Sequence, residues 1–338
     1  MADKSKIEWT DATWNPITGC TLVDEGCRNC YAAHLITSWP AIGNHPSRKG
    51  LARKNADGVA KFTGEVRFNA QWLDQPLRWK KPRKIFVCAH GDLFHESVPD
   101  AWIDQVFAVM ALAPQHTFQV LTKRPDRARR YLGAPIGGTT RSNWITSAIG
   151  RQTGQSSIKP FEWPLRSVWL GTSISDQPSA DLRIPDLLAT PASIRFISAE
   201  PLLGPVDLRA VRHGHMTAIS CLDWVICGGE SGPNARPMHP DWARSVRDQC
   251  AAAGVPFHFK QWGEWTPGEN VPATVKGRKP TASYGPFTDG ADWAFCESNM
   301  SDPEADWDDE PDLYRIGKSR AGRLLDGVEH NGFPEVMG

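Results

Sequence analysis

Three cysteines stand close together near the start of the chain, in the run ITGCTLVDEGCRNCYAAH. Cys27 follows Cys20 after six residues, Cys30 follows after two more, and Tyr31 comes directly behind. Clustered thiolates bind metal or react. A closed structural metal site takes four protein ligands, whereas a reactive one leaves a coordination position open. Iron–sulfur clusters are likewise held by cysteine thiolates, usually four. A cluster held by three has one iron free for another ligand. The next cysteine in sequence is Cys88, so two chemistries fit the triplet. Either three thiols hold an iron–sulfur cluster with an open iron, or His34, four residues after Cys30, completes a three-cysteine, one-histidine zinc set. Cys88, Cys221 or Cys227 are also able to complete a site in space, although Cys221, Cys227, Cys250 and Cys296 read as small buried hydrophobes.

A loop of this kind needs a scaffold. Short apolar runs recur along the chain with helical stretches between them: Ile85–Ala89, Phe118–Leu121, Val168–Thr172, Ile194–Ile197, Trp224–Cys227 and Phe257–Phe259, with one more strand expected around the first cysteine. Helices are expected after Pro99, over Pro125–Leu132, from about Asp181 to Ala189, and over Pro240–Ala253, where proline starts the helix and Gly254 stops it. Strands alternating with helices predict a parallel α/β sheet. With seven strands in a 338-residue chain, the expected fold is a TIM-like or partial (β/α) barrel over residues 1–265. Residues 43–74 and 133–164 read as insertions, the second as a Gly/Ser/Thr-rich loop. Periodicity fades in the irregular C-terminal extension over 266–338.

In such barrels functional residues gather where strands run into the following loops. The expected strands end in His90-Gly91-Asp92, Thr122-Lys123-Arg124, Thr172-Ser173, Ser198-Ala199-Glu200, Gly228-Gly229-Glu230-Ser231 and Lys260-Gln261-Trp262. Each delivers a polar or charged group at the same end. Any one of them is also explained by a strand meeting water; the converging set is what predicts a site. Lys123 and Arg124 suit a carboxylate or phosphate, or simply open the basic helix behind them.

Lys plus Arg and Asp plus Glu each number 38, so no global basic field draws nucleic acid, and any such contact must be local. No apolar run approaches the length of a membrane span, and the opening MADKSKIEWTDATW lacks the apolar core of a secretory signal. The expected compartment is a reducing cytoplasm, where clustered cysteines bind metal or react. Some of the 15 tryptophans are able to stack on bases, although core and loop packing accounts for most.

The segments WNPITGC, GCRNCYA, GDLFHE, VLTKRP, WLGTSIS, SAEPLLG, WVICGGESGPNARPMHPDW and FHFKQWGEW, from Trp14 to Trp265, together with RIGKSRAGRLLDG near the end, resemble a widespread, phage-associated family of three-cysteine-motif proteins. More distantly, the layout is similar to the radical S-adenosylmethionine superfamily. That likeness implies a [4Fe–4S] cluster on Cys20, Cys27 and Cys30, with the fourth iron chelating S-adenosylmethionine, and an electron donor protein. The resulting 5′-deoxyadenosyl radical abstracts a substrate hydrogen; the cofactor carries this chemistry and the protein positions it. By the same resemblance Asp92 receives the amino group of S-adenosylmethionine and Ser173 and Glu200 its carboxylate or ribose. Tyr31, Thr122 and Ser198 complete the cofactor side, and Lys260, Glu230 and Lys123 are the candidate catalytic groups. The expected substrate is a nucleoside or nucleic acid, and the expected setting is a phage- or prophage-encoded protein in the host cytoplasm. The chain departs from the superfamily's commonest motif, which spaces its cysteines by three and two and puts the aromatic before the last one, where Asn29 stands here. Its Gly-Gly-Glu, at 228–230, lies near the sixth strand rather than after the second. The competing expectation is a nucleic-acid-binding or accessory phage protein with structural zinc on Cys20, Cys27, Cys30 and His34.

Overall fold

Valine, isoleucine and aromatic side chains fill the pleated surface of a buried strand, and seven segments rich in them pair into one sheet. The computed structural model describes Ser5 and residues 7–133, 141–154, 161–284, 293–300 and 312–335. The strands are β1 (Ala12–Trp14), β2 (Lys84–Val87), β3 (Thr117–Thr122), β4 (Val168–Ile174), β5 (Ile194–Ala199), β6 (Trp224–Gly228) and β7 (Phe257–Gln261). They lie side by side in chain order and all run parallel. The sheet curls into a half-barrel with β1 and β7 at its edges, the expected partial TIM-like architecture.

Helices cover the convex face. Short α1 (Tyr31–Ser38) follows the cysteine loop; α2 (Asp100–Leu112), α3 (Pro125–Gly133), α5 (Gln177–Leu188) and α6 (Pro240–Ala253) follow later strands. The start of α5, earlier than the sequence pattern suggested, comes from a capping box: the Asp176 carboxylate accepts from Ser179 N–H at 2.9 Å. Helix α6 ends at Gly254, whose φ of 68° is the left-handed stop glycine allows. Within the segment read as a loop, α4 (Arg141–Thr153) buries Ile145, Ala148 and Ile149 and packs on α2. Its apolar stripe is short and set among Ser, Thr and Asn, which hid the helical period.

Alternation along the strands sorts side chains between two cores. Val168, Leu170 and Ile174 of β4 face the helices, whereas Trp169 joins Trp9, Phe86, Phe196, Trp224 and Ile226 on the concave side. There Trp9 meets Phe86 in a tilted contact at 4.8 Å, and Trp224 meets Trp169 edge-on at 5.9 Å. Two residues further along each strand this aromatic floor gives way to Gly171 and Ser173 on β4, and to Ser198 and then Glu200 from β5. A side chain at Gly171 would put its Cβ 2.5 Å from the Phe196 ring, so glycine is required there.

The described residues after β7, where the sequence shows no periodicity, include a second sheet. Strands β8 (Trp265–Pro267), β9 (Arg278–Tyr284), β10 (Trp293–Asn299) and β11 (Leu313–Arg315) form an antiparallel sheet in the order β8-β11-β9-β10. The chain end then returns to β7: Phe259 N–H donates to the His330 carbonyl at 3.0 Å and Gly332 N–H to the Phe257 carbonyl at 2.9 Å. Phe333 closes the aromatic floor 4.8 Å from Trp224. Among the described residues no helix is long and apolar enough to cross a membrane.

One histidine is sealed into this floor. His258 is 1% exposed, neither ring nitrogen has a hydrogen-bond partner among the described residues, and the ring packs on Trp224 and Phe333. Burial, then the nearby Arg323, Lys260 and Lys84, lower its pKa to about 4. The unfolded chain therefore binds this proton first, near pH 6.5. Stability is complete above that pH and falls as pH drops toward about 4, by roughly 3 kcal/mol at full effect. His258→Leu is expected to flatten this part of the acid profile; urea midpoints measured from pH 7.5 to 4 check it.

Candidate functional site

Residues 19–30 cross the carboxyl ends of the strands, and glycine sets both the entry and the closest approach. Gly19 has φ of 99°, and a Cβ there would sit 2.0 Å from the Glu65 carbonyl oxygen; its N–H donates to the His90 carbonyl at 3.0 Å. Gly26 lies so close to the end of β4 that a Cβ would meet Ser175 Oγ at 2.2 Å.

Charged groups then clamp the loop along its length. The Thr21 hydroxyl accepts from Arg124 Nη2 at 2.6 Å, and Asp24 takes Arg183 Nη2 at 2.5 Å. The Glu25 carbonyl accepts from Arg236 Nη2 at 2.9 Å, and the Arg28 carbonyl from Lys61 at 3.0 Å. Asn29 Nδ2 donates to Glu230 at 2.9 Å and to the Asn234 carbonyl at 2.7 Å. The Tyr31 ring is half exposed, but its hydroxyl reaches inward to the Ala89 carbonyl at 2.8 Å.

The three thiols are electrostatic neighbours, Cys20 of Cys30 and Cys30 of Cys27. Burial, followed by the negative Asp92, pushes the Cys20 thiol up to about 12, against the pull of Arg124, whose Nη1 lies 3.6 Å from the sulfur. Burial also raises Cys30, opposed by N–H groups of Ala33 and Ala32 at the start of α1 and, more weakly, by Lys123. Burial raises the Tyr31 hydroxyl too, with Cys30 and Glu200 adding to it. Cys227 and Cys250 lie in the helix-side core, away from the loop. The ring of His34, on α1, has Nδ1 3.4 Å from Ser38 Oγ. Among the described residues no three His, Cys, Asp or Glu groups are arranged to hold a metal ion. A single zinc needs its sulfurs about 2.3 Å from one point. A cluster makes a different demand, because each thiolate binds its own iron.

The strand-end residues divide into two groups. Asp92, 5% exposed, accepts from Phe94 N–H (2.9 Å), the Thr122 hydroxyl (2.7 Å), Lys123 N–H (3.2 Å) and Arg124 Nη1 (3.0 Å). Four donors fill the four acceptor positions of a carboxylate, so Asp92 and Thr122 hold Arg124 in place. Arg124 also pairs with Glu96 at 2.9 Å; burial alone would lower its pKa, but Asp92, Cys20 and Glu96 raise it. Glu230, also 5% exposed, is taken by Arg236 at 2.7 Å and by Asn29, and so braces the loop.

The second group faces the concave side. Lys260 donates to Glu200 at 2.5 Å, and Gln261 reaches the same carboxylate at 3.3 Å. Ser173 and Ser198 are direct partners across β4 and β5. Lys123 Nζ stands 3.6 Å from Asp24 Oδ1. These two atoms and Ser175 Oγ are buried beside Gly26 with no hydrogen-bond partner among the described residues. Asp24 is held below the usual carboxylate range: burial opposes this, but Lys123 and Arg183 outweigh it. The sequence reading missed Asp24, Asn29, Arg183 and Arg236. Arg183 sits in α5 and Arg236 in an irregular loop, and neither carries a local signal of its distant partner. In the sequence Arg124 stands out only beside Lys123, and its contact to Cys20 carries no local signal.

Fold and site together define a half-barrel protein with a three-thiol loop clamped over its polar mouth. The family described as Protein of unknown function (DUF5131) matches residues 4–334, and the chain belongs to it. No curated protein and no solved structure matches the chain.

Two substitutions test the clamp. Arg124→Gln leaves Asp92 buried without its cation and is expected to cost about 3–5 kcal/mol, with Asp92→Asn in that background recovering part of the loss in urea unfolding. Gly26→Ala is expected to lift the loop from Ser175, at about 1–3 kcal/mol, and to raise the rate at which maleimide labels Cys20, Cys27 and Cys30.

Proposed function

We propose that this chain is an iron–sulfur enzyme of the radical S-adenosylmethionine type that modifies or repairs a nucleoside or nucleic acid. The observation that carries the reading is the three-cysteine loop, whose thiols neighbour one another over the polar mouth of a partial barrel while Cys227 and Cys250 belong to the opposite core. Cys20, Cys27 and Cys30 would hold the cluster. When bound, the cluster and S-adenosylmethionine supply an electron and a radical that removes a hydrogen atom from the substrate.

The chain's own residues bind and orient. Arg124 donates toward the Cys20 sulfur and offsets the negative charge that thiolate ligands bring. Lys123 does the same for Cys30 from further away. Asp92, with its oxygens filled, serves through Arg124, and Glu230 serves through Asn29. Lys260, Glu200, Ser173 and Ser198 are left to meet cofactor and substrate. The aromatic floor of Trp9, Trp169 and Trp224 closes the pocket from below and keeps water out. An electron donor protein and a phage- or prophage-encoded setting in the host cytoplasm belong to this reading and rest on the family resemblance.

Anaerobic reconstitution with iron and sulfide is the test. Roughly four irons and four sulfides per chain are expected, with 5′-deoxyadenosine released from S-adenosylmethionine under dithionite, and both lost in Cys20→Ala, Cys27→Ala and Cys30→Ala. One equivalent of zinc and no iron uptake would overturn the reading in favour of a structural zinc module.

A further inference from the structure

Arg48 lies in the turn between α1 and the short hairpin formed by Ala52–Lys54 and Ala60–Phe62, and it is 8% exposed. Its side chain has one hydrogen bond among the described residues, from Nε to His90 Nδ1 at 2.8 Å. A histidine that accepts at Nδ1 is neutral and carries its proton on Nε2. The three arginines that clamp the cysteine loop each meet a carboxylate: Arg124 meets Asp92, Arg183 meets Asp24 and Arg236 meets Glu230. Arg48 instead bonds the His90 imidazole, with His45 as a second electrostatic neighbour. Burial, then Arg48 itself, lowers the pKa of both His45 and His90, that of His90 to about 4. A buried guanidinium with no counter-ion is costly, and its two terminal nitrogens still have donors to offer.

The place is the flank of the cysteine loop. The Ser47 carbonyl accepts from the Thr18 hydroxyl at 2.6 Å, and the His90 carbonyl accepts from Gly19 N–H, one residue before Cys20. The neighbouring Ala89 carbonyl anchors Tyr31. Further out, Lys49, Arg53 and Lys54 are exposed and make no ion pair among the described residues, so this side of the mouth is positive although the chain as a whole is neutral.

We propose that Arg48, oriented by His90, binds a phosphate group of a nucleotide or polynucleotide at the barrel mouth. The two terminal nitrogens of the guanidinium supply two parallel donors to one phosphate, and His90 holds the guanidinium in place through Nε. The exposed cations favour a phosphate ester over a simple carboxylate. The inference goes beyond the proposed reaction and needs no cluster, so it stands or falls separately from that reading.

The test uses the full chain, purified without reconstitution, and follows Tm and Kd with inorganic phosphate, AMP, a 5′-phosphorylated single-stranded DNA dodecamer, and acetate as the carboxylate control. Phosphate and at least one of AMP and the dodecamer are expected to raise Tm, while acetate at equal ionic strength does not. AMP binding identifies a free nucleotide as sufficient, and binding by the dodecamer without AMP identifies a polynucleotide. Arg48→Gln is expected to weaken binding roughly tenfold or more, while its own Tm without ligand stays equal to or above that of the parent, because an uncompensated buried charge has gone. If Arg48→Gln does not fold, Arg48→Lys, which keeps the charge but not the paired donors, is expected to show the weakened binding. No Tm shift in the parent chain, undiminished binding in the Arg48 variants, or equal stabilisation by acetate would overturn the proposal.

Discussion

The Arg124 guanidinium touches four groups at once: Asp92 beneath it, Glu96 beside it, and the Thr21 hydroxyl and Cys20 sulfur above. Asp92 is in turn filled by Thr122 and by backbone N–H groups at the ends of β2 and β3. This buried ion pair is therefore the joint between the sheet and the cysteine loop. Removing either charge strands the other. The remaining clamps, Arg183 on Asp24 and Arg236 with Glu230 on Glu25 and Asn29, repeat the device at the later strands. A loop of 12 residues with one short 3-10 turn gains its shape from charges outside itself.

The rest of the architecture follows from keeping two environments apart. Large aromatic rings occupy the floor of the curl, and small residues above them open space for the mouth. Gly171 is needed where Phe196 crosses, and Gly26 where the loop touches Ser175. The chain end seals the floor with Phe333 and pairs with the edge of β7. It thereby shields a strand edge that would otherwise present unpaired backbone groups.

Much of the fold was legible because its signals are local. The six apolar runs from Ile85 onward and the helices after them carry their periods locally, whereas the first strand, expected around Cys20, lies earlier at Ala12–Trp14. Pro240 and Gly254 bracket α6 as a proline and a glycine should. The C-terminal sheet was not legible. Two of its strands have three residues, β9 contains Pro280, and β10 is largely exposed, so period-two alternation is faint. Helix α4 was masked by the polar residues around its apolar stripe. In the site, the polar strand ends were visible but their division of labour was not. Asp92, Lys123, Glu200 and Glu230 look alike as charged residues after a strand. Partners brought in by the fold, Arg124 and Thr122 on Asp92 and Asn29 on Glu230, distinguish these filled carboxylates from the more open Glu200.

By itself, the sequence determined the alternating α/β plan, the polar groups at the strand ends and the thiol triplet, because periodicity, turn chemistry and residue type act over a few neighbours. Tertiary structure alone decided which charges became supports and which faced the mouth. Arg236 is bonded to Glu25 across 211 residues, and Asn29 to Glu230 across 201. It also left Arg48 with an imidazole where its counterparts have a carboxylate. Contacts of that range depend on how the curled sheet brings loops together, and the strength of a buried charge pair depends on the water excluded around it. Neither is encoded in any short stretch of the chain.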